Sequence, residues 1–356
     1  MANNYPCNAC GGVMEFAAKE LALKCPNCGN SLPIERNNKI SSHLVNEYKL
    51  LQNNTPQEAQ PTKSEIQCQA CGAGIEIDTQ TTATSCPFCG GSVVLAEKQA
   101  SLVKPDAVCP FAVDRHMVQK AFLDWIKSRW LAPNALKNLY QQKKAEGYYL
   151  PFWAFDANVY CRYTAEGGVE RQEEYIETDK DGKEVVRTRT IVDWYDTSGT
   201  VENNFEDVTV VATKSIKKSL TDVADNYSSK SAFAYTPEYL AGYGAETHAV
   251  DMPEAYVDAK STMSNRMESM VRDDVLRRYD QVRAISMNLS YSSEYYRNVL
   301  LPFYVSSYAF EGKQYQVVID GRTGDVSGEY PKSYAKIGMI VAAVVILGYV
   351  LYKVMH

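Results

Sequence analysis

The chain has 356 residues, 45% of them hydrophobic, and a formal net charge of −6 at neutral pH. That length exceeds what small metal-stapled modules need and leaves room for a substantial packed domain. The acidic balance, with no compensating basic tract, argues against a general nucleic-acid binder, because contacts to the phosphate backbone dominate such affinity.

Two cysteine sets open the chain: Cys7 and Cys10 with Cys25 and Cys28, then Cys68 and Cys71 with Cys86 and Cys89. Each reads C-x₂-C-x₁₄-C-x₂-C, and the second set repeats the first 61 positions later. Two tight turns, each carrying two thiolates, close a tetrahedron around one ion, and Zn²⁺ with four sulfur ligands makes a closed structural site. The spacing is one residue short of the usual window. Glycine follows the second cysteine of every pair (Gly11, Gly29, Gly72, Gly90), where a knuckle turn needs a permissive backbone, and Pro26 and Pro87 stiffen the second knuckles. The first residues, Met1 to Pro6, have neither a basic start nor an apolar run, so an exported, disulfide-stapled reading is disfavoured. The expectation is two structural Zn²⁺ ions in two β ribbons, at residues 1–37 and 65–98. Val13-Met14-Glu15-Phe16 and Ile75-Glu76-Ile77 would be ribbon strands.

Residues 38–64 form a polar linker in which Ile40, Leu44, Tyr48 and Leu51 keep a helical spacing, predicting a short amphipathic helix that covers a ribbon or docks a partner. A shorter linker follows at 97–106. A larger domain is expected over 107–330. Asp114 suits the N-cap of a helix running to Trp130, and Pro133 the first turn of a second helix ended by Gly147. Tyr148 to Phe155 reads as an aromatic-rich strand. Alternation continues through 159–164, 171–178 and 184–192, with Asp181-Gly182 as a hairpin turn. Residues 252–283 read as a long helix, and Val299 to Ser327 as strands turning at Asp320-Gly321-Arg322-Thr323-Gly324. Leu150-Pro151-Phe152-Trp153 resembles Leu300-Leu301-Pro302-Phe303-Tyr304, which allows either two related halves or two unrelated core strands.

From Ile337 to Tyr352 the chain is uncharged and apolar between Lys336 and Lys353. It lacks the polar stripe of a surface helix, which predicts a transmembrane helix over 337–354. Flanking lysines can snorkel, and Tyr330, Tyr334 and Tyr352 suit interfacial positions. Lys332 and Lys336 outweigh Lys353 beyond the span, so a single-pass, tail-anchored protein with its N-terminal bulk cytoplasmic is expected. The fold class is therefore α+β: two N-terminal four-cysteine zinc ribbons, a central mixed domain with an antiparallel sheet, and a C-terminal membrane helix.

The paired ribbons, Tyr149-Leu150-Pro151-Phe152-Trp153-Ala154-Phe155-Asp156, Leu240-Ala241-Gly242-Tyr243, Leu301-Pro302-Phe303-Tyr304 with Asp320-Gly321-Arg322-Thr323-Gly324, and Pro331-Lys332-Ser333 before the anchor resemble a bacterial family. Its members are membrane-anchored TFIIB-type zinc-ribbon-containing proteins, sometimes labelled primosomal helicases. The likeness covers nearly the whole chain, although many members have one ribbon. It implies association with phage-shock-protein-A-type and flotillin-like (SPFH) membrane-stress proteins, and no established catalysis.

A helicase needs a G-x-x-x-x-G-K-[ST] phosphate loop, yet Gly182-Lys183 is followed by Glu and Gly312-Lys313 by Gln. Neither an H-E-x-x-H helix nor a G-x-S-x-G elbow occurs. His43, His116, His248 and His356 show no ligand pattern, Cys109 and Cys161 read as reduced buried thiols, and Glu170 to Glu174 as a solvated strand face. Zinc ribbons also occur in transcription and replication machinery, so nucleic acid is the alternative partner. Ribbon 1 balances Lys19, Lys24 and Arg36 against Glu15, Glu20 and Glu35, whereas ribbon 2 sets Lys98 alone against Glu65, Glu76, Asp78 and Glu97. Electrostatics thus favours a protein partner. The sequence reads as a non-enzymatic, zinc-stabilised adaptor at the membrane, with ribbons on a flexible tether displaying residues such as Phe88 or Val93-Val94-Leu95 to a cytosolic protein.

Overall fold

The computed structural model describes residues 2–3, 5–48, 63–67, 74–78, 81–85, 92–95, 104–133, 146–178, 182–214, 216, 220 and 227–355. Its N-terminal part is built from short strands: β1 (Ala2–Asn3), β2 (Glu15–Ala17), β3 (Ala22–Lys24), β4 (Ser31–Pro33), β5 (His43–Leu44), β6 (Lys63–Gln67), β7 (Gly74–Asp78), β8 (Thr81–Ser85) and β9 (Ser92–Leu95). After β10 (Ala107–Val108) and helix α1 (Arg115–Ser128) come two very long strands, β11 (Glu146–Thr178) and β12 (Glu184–Val211). Then follow β13 (Phe233–Ala234), β14 (Gly244–Glu246), helix α2 (Met252–Leu276), the long strand β15 (Gln281–Phe310), β16 (Lys313–Asp320), β17 (Val326–Gly328) and helix α3 (Tyr334–Met355).

The expected mixed α+β architecture is present, built on three strands of 28 to 33 residues. β11 lies in the middle, antiparallel to β12 on one side and to β15 on the other. The two aromatic motifs turn out to be direct neighbours: Leu150 pairs with Leu301, Pro151 with Leu300, and the Phe152 and Phe303 rings stack at 5.7 Å. Both motifs sit inside their strands, not at strand starts. From Tyr149 to Phe155 every residue is buried, so the sheet is covered on both faces here. From Ala157 to Ala165 burial alternates, the pattern of a sheet with one solvated face.

One buried face runs through both stretches, Trp153, Phe155, Ala157, Val159, Cys161, Tyr163 and Ala165, and packs on α2. α2 offers Met252, Ala255, Ala259, Met263, Met267, Val271 and Val275, a stripe spaced by three or four residues along one side. Expected to reach residue 283, this helix ends at Leu276; the chain must straighten so that β15 can begin at Gln281. The change from double to single coverage falls at a bulge. Asp207, at φ 54°, is an extra residue opposite β11 beside Asp156, and Arg297 joins both carboxylates at 2.7 and 2.9 Å.

Other sequence expectations land unevenly. α1 begins where Asp114 accepts the Met117 N–H at 3.0 Å, as an N-cap should. The expected helix after Pro133 falls on 134–145, outside the described residues, and Gly147 is already in β11 instead of ending a helix. The Asp320 turn forms as expected, with the buried Asp320 carboxylate holding Arg322 and Gly324 at φ +83°. Cross-strand pairs such as Arg171–Asp193 and Arg189–Glu173 confirm the solvated face over 170–174.

Two expectations need correction. Over residues 38–47 the linker does not form the expected amphipathic helix; Tyr48 has a helical backbone, and the remainder of that helix, Leu51 included, falls outside the described residues. His43 and Leu44 add a short strand to β15, a single 3₁₀ turn follows, and Tyr48 is buried against Trp153 and Tyr296. A wide aromatic face takes one ring more readily than a helical stripe. Nor do the ribbons hang on a free tether. β8 pairs with β14 and β9 pairs with both β8 and β1, which extends the main sheet. Val93-Val94-Leu95 are therefore strand residues paired on the sheet, not a display loop, while Phe88 lies outside the described residues.

Candidate metal centre

In the first cysteine set, two turns of the same shape face one another. The Gly11 N–H reaches the Cys7 carbonyl at 2.8 Å and the Gly29 N–H reaches that of Cys25 at 2.9 Å. The Cys7 and Cys25 N–H groups close the turns onto Gly12 and Asn30 at 2.6 and 2.8 Å. Gly11 and Gly29 have φ of +72° and +75° with open space around them. Glycine is favoured there by backbone conformation alone, as the sequence implied. β2, β3 and β4 form the small antiparallel sheet that holds the turns.

This places Sγ of Cys7, Cys10, Cys25 and Cys28 within 4.8 Å of one another. Cys7 lies 3.5 Å from Cys28 and Cys10 the same distance from Cys25. A disulfide would need about 2.05 Å. A tetrahedron with Zn–S bonds of ~2.3 Å has edges near ~3.8 Å, so the cage fits one such ion. Cys7 and Cys25 are buried whereas Cys10 and Cys28 are exposed, which puts the centre at the ribbon's rim.

Hydrogen bonding divides the four thiols. The Ala9 N–H, followed by weaker bonds, lowers Cys7 to about 6 against the opposing effect of burial. Cys25 is lowered as well, chiefly by the Cys28 N–H. At Cys28 the Asn30 N–H acts downward, but the thiols of Cys10 and Cys7 and burial prevail and push it up to about 12. Bare sulfurs this close resist sharing negative charge; a dication removes the conflict, which is why metal uptake releases protons. A Zn²⁺ held by four thiolates would be of the structural kind, with all four positions taken by the protein.

The ribbon is seated on the main domain by the Leu240-Ala241-Gly242-Tyr243 stretch. The Phe16 N–H donates to the Ala241 carbonyl at 2.9 Å, and its ring meets Tyr239 edge-on at 5.4 Å. Gly242, at φ +86°, allows close approach, since a Cβ there would stand 3.0 Å from that of Glu15. Tyr243 stacks on Phe111 at 4.0 Å, and Lys19 pairs with Asp114 at 2.7 Å. A cleft of about 370 Å³ remains along this seam, lined by residues of both signs, including Glu15, Lys19, Glu20 and Asp114. Neither period nor spacing had marked this seat in the sequence. The stretch stood out in the sequence only as one of the motifs of the family resemblance, with nothing to tie it to the cysteine ribbon.

Cys68, Cys71, Cys86 and Cys89 lie outside the described residues. The strands around them are formed: β6 pairs with β7, which contains Ile75 to Ile77, and β8 pairs with β9. Cys109 and Cys161 are free, buried and in different apolar clusters, and burial pushes both thiols upward, Cys109 to about 12. His43 bonds to Asp106 at 2.7 Å, and His248 lies beside Trp153. At the other end, Lys336–Lys353 within α3 is long and apolar enough to cross a membrane, and none of it is buried.

No family model and no solved structure matches the chain. It is similar to the uncharacterized protein YdjG of Bacillus subtilis (strain 168), at 28% identity over 337 residues, covering 95% of this chain and 92% of that protein.

Proposed function

We propose that the protein is a non-enzymatic, zinc-stabilised membrane adaptor. α3 crosses the bilayer as a single-pass anchor with the N-terminal bulk on the cytoplasmic side, and the zinc-bearing face recruits a cytosolic protein. One observation carries the reading: an apolar helix, with no residue of its span buried, stands on a folded domain whose only described metal-ligand cluster is a cage of four cysteines. An apolar helix exposed on every side finds its partner in lipid. The outer ribbon strand β4 is exposed along its length, Leu32 included, and offers an edge to a protein partner. A second Zn²⁺ at Cys68, Cys71, Cys86 and Cys89 belongs to the same proposal, resting on the repeated spacing. The family resemblance points to phage-shock-protein-A-type or SPFH proteins as the recruited class.

The test is crosslinking in cells expressing tagged protein, followed by purification from solubilised membranes and identification of what is retained. A chain truncated after Tyr330 runs alongside. Membrane-stress proteins bound by the full chain at the membrane, with the truncated chain released to the soluble fraction, are expected. Recovery of polymerase components or nucleic acid would replace the adaptor reading with a nucleic-acid one, and a truncated chain that stays with membranes would refute the single anchor.

A further inference from the structure

The root of the terminal helix is not free. The Lys336 ammonium donates to the carbonyls of Ala132 and Trp130 at 2.7 and 3.0 Å, and the Ser333 N–H donates to Leu131 at 2.8 Å. Lys336 is the first residue of the apolar stretch, where a span would meet headgroups. Instead of snorkelling, it clamps the loop that follows α1. Pro331 and Ala132 are buried beneath the clamp, so loop and helix root form one packed corner.

What this corner presents is unusual for an exposed surface. Trp130 is 64% exposed, whereas Trp125 and Trp153 are buried. Beside it the Arg129 guanidinium lies over the Trp125 and Tyr330 rings at 5.3 and 5.8 Å. The two segments 127–133 and 330–336 carry Lys127, Arg129, Lys332 and Lys336 and no acidic residue, in a chain that is acidic overall. An exposed indole among basic side chains, held at the level where an apolar helix begins, has the chemistry of a bilayer interface: Trp favours the headgroup zone and Lys and Arg attract anionic lipid.

We propose that residues 127–133 form an interfacial foot that rests on the anionic headgroups of the leaflet entered by α3, with Trp130 inserted among them. The domain then stands in a fixed pose on the membrane and does not swing from its anchor. This rests on the reading of α3 as a membrane span.

The test uses the full-length chain reconstituted into phosphatidylcholine vesicles, with and without phosphatidylglycerol, whose acyl chains are brominated just below the headgroups. Flotation establishes insertion, and tryptophan emission reports contact with bromine. Trp130 is one of four tryptophans, so the wild type should lose up to about a quarter of its emission. Trp130→Phe, conservative at an exposed position, should float equally and lose that component. Quenching should be greater in vesicles with phosphatidylglycerol, and Lys127→Gln with Lys332→Gln should reduce the difference. Equal quenching of wild type and Trp130→Phe in floating protein overturns the foot and leaves the anchor standing. A wild type that does not float overturns the anchor, and the foot with it.

Discussion

Replacing Phe16 by alanine tests whether ribbon 1 and the main domain are one cooperative unit. Phe16 is buried in the cluster that also contains Tyr239, Leu240, Phe111 and Trp125, so its ring belongs to the domain's core as much as to the ribbon's. Phe→Ala changes in cores cost about 3–5 kcal/mol, and the edge-on contact with Tyr239 supports a value within that range, not below it. The site cannot collapse easily, because Gly242 already brings the two backbones together and Phe16 N–H is bonded to Ala241. At an unfolding entropy of ~2.1 cal/mol/K per residue, a single body of about 330 residues shifts by roughly 1.4 °C per kcal/mol, so the melting midpoint should fall by about 4–7 °C. The assay is thermal unfolding of the detergent-solubilised full chain, followed by far-ultraviolet circular dichroism and by tryptophan emission. Both probes should move together, since the tryptophans lie in the domain and not in the ribbon. A tryptophan transition displaced by less than about 2 °C, with a separate early step from the ribbon, would refute the shared core and restore the tethered-bead picture.

Cys25→Ser removes a buried ligand from the four-cysteine cage and should lower bound zinc by one equivalent per chain, measured by elemental analysis of purified protein; unchanged zinc would refute the centre. His248 offers a pH signature. Burial lowers its folded-state pKa, against a smaller opposing effect of Asp251, so the neutral ring is favoured in the native state. The stabilisation is complete above the unfolded-state value near ~6.5 and is lost as pH falls through the folded pKa below it. His248→Phe keeps a ring beside Trp153 and should flatten the fall in melting midpoint on acidification below about pH 6.5; identical wild-type and variant profiles would show that His248 carries none of it.

What the sequence disclosed follows the range of the physics involved. The cysteine turns were legible because metal geometry is local: the ligand spacing and the glycines at φ > 0 are all written within a few residues. The α1 cap at Asp114 and the Asp320 turn are local in the same sense. The exposed terminal helix was legible because an apolar run flanked by lysines needs no tertiary context. The length of β11 was not, because its first part is a continuous apolar run and its second alternates, and only the partner on each face explains the difference. The linker misled for a related reason. Ile40, Leu44 and Tyr48 satisfy a helical period, but pairing with β15, far away in sequence, made His43 and Leu44 a strand, and only Tyr48 keeps a helical backbone. Trp130 drew no attention because its significance comes from Lys336, some two hundred residues later.

One apolar cluster joins the two ends of the molecule. It begins at Cys7, Cys25 and Phe16, passes through Tyr239, Leu240 and Phe111, and reaches Trp125, Ile126 and Ala132, with Tyr330 packed against it. The ribbon seat and the helix root are thus faces of a single close-packed interior, which resists compression and transmits displacement. Contiguity alone does not make a signal, however, because coupling between sites requires an element with two arrangements whose balance both sites bias. The cluster offers no such element among its described members: its strands are paired and its aromatic rings interlock. The physical consequence is stiffness. An adaptor built this way would hold its ribbon at a set position relative to the bilayer, and its specificity would depend on which surfaces that position presents to a partner.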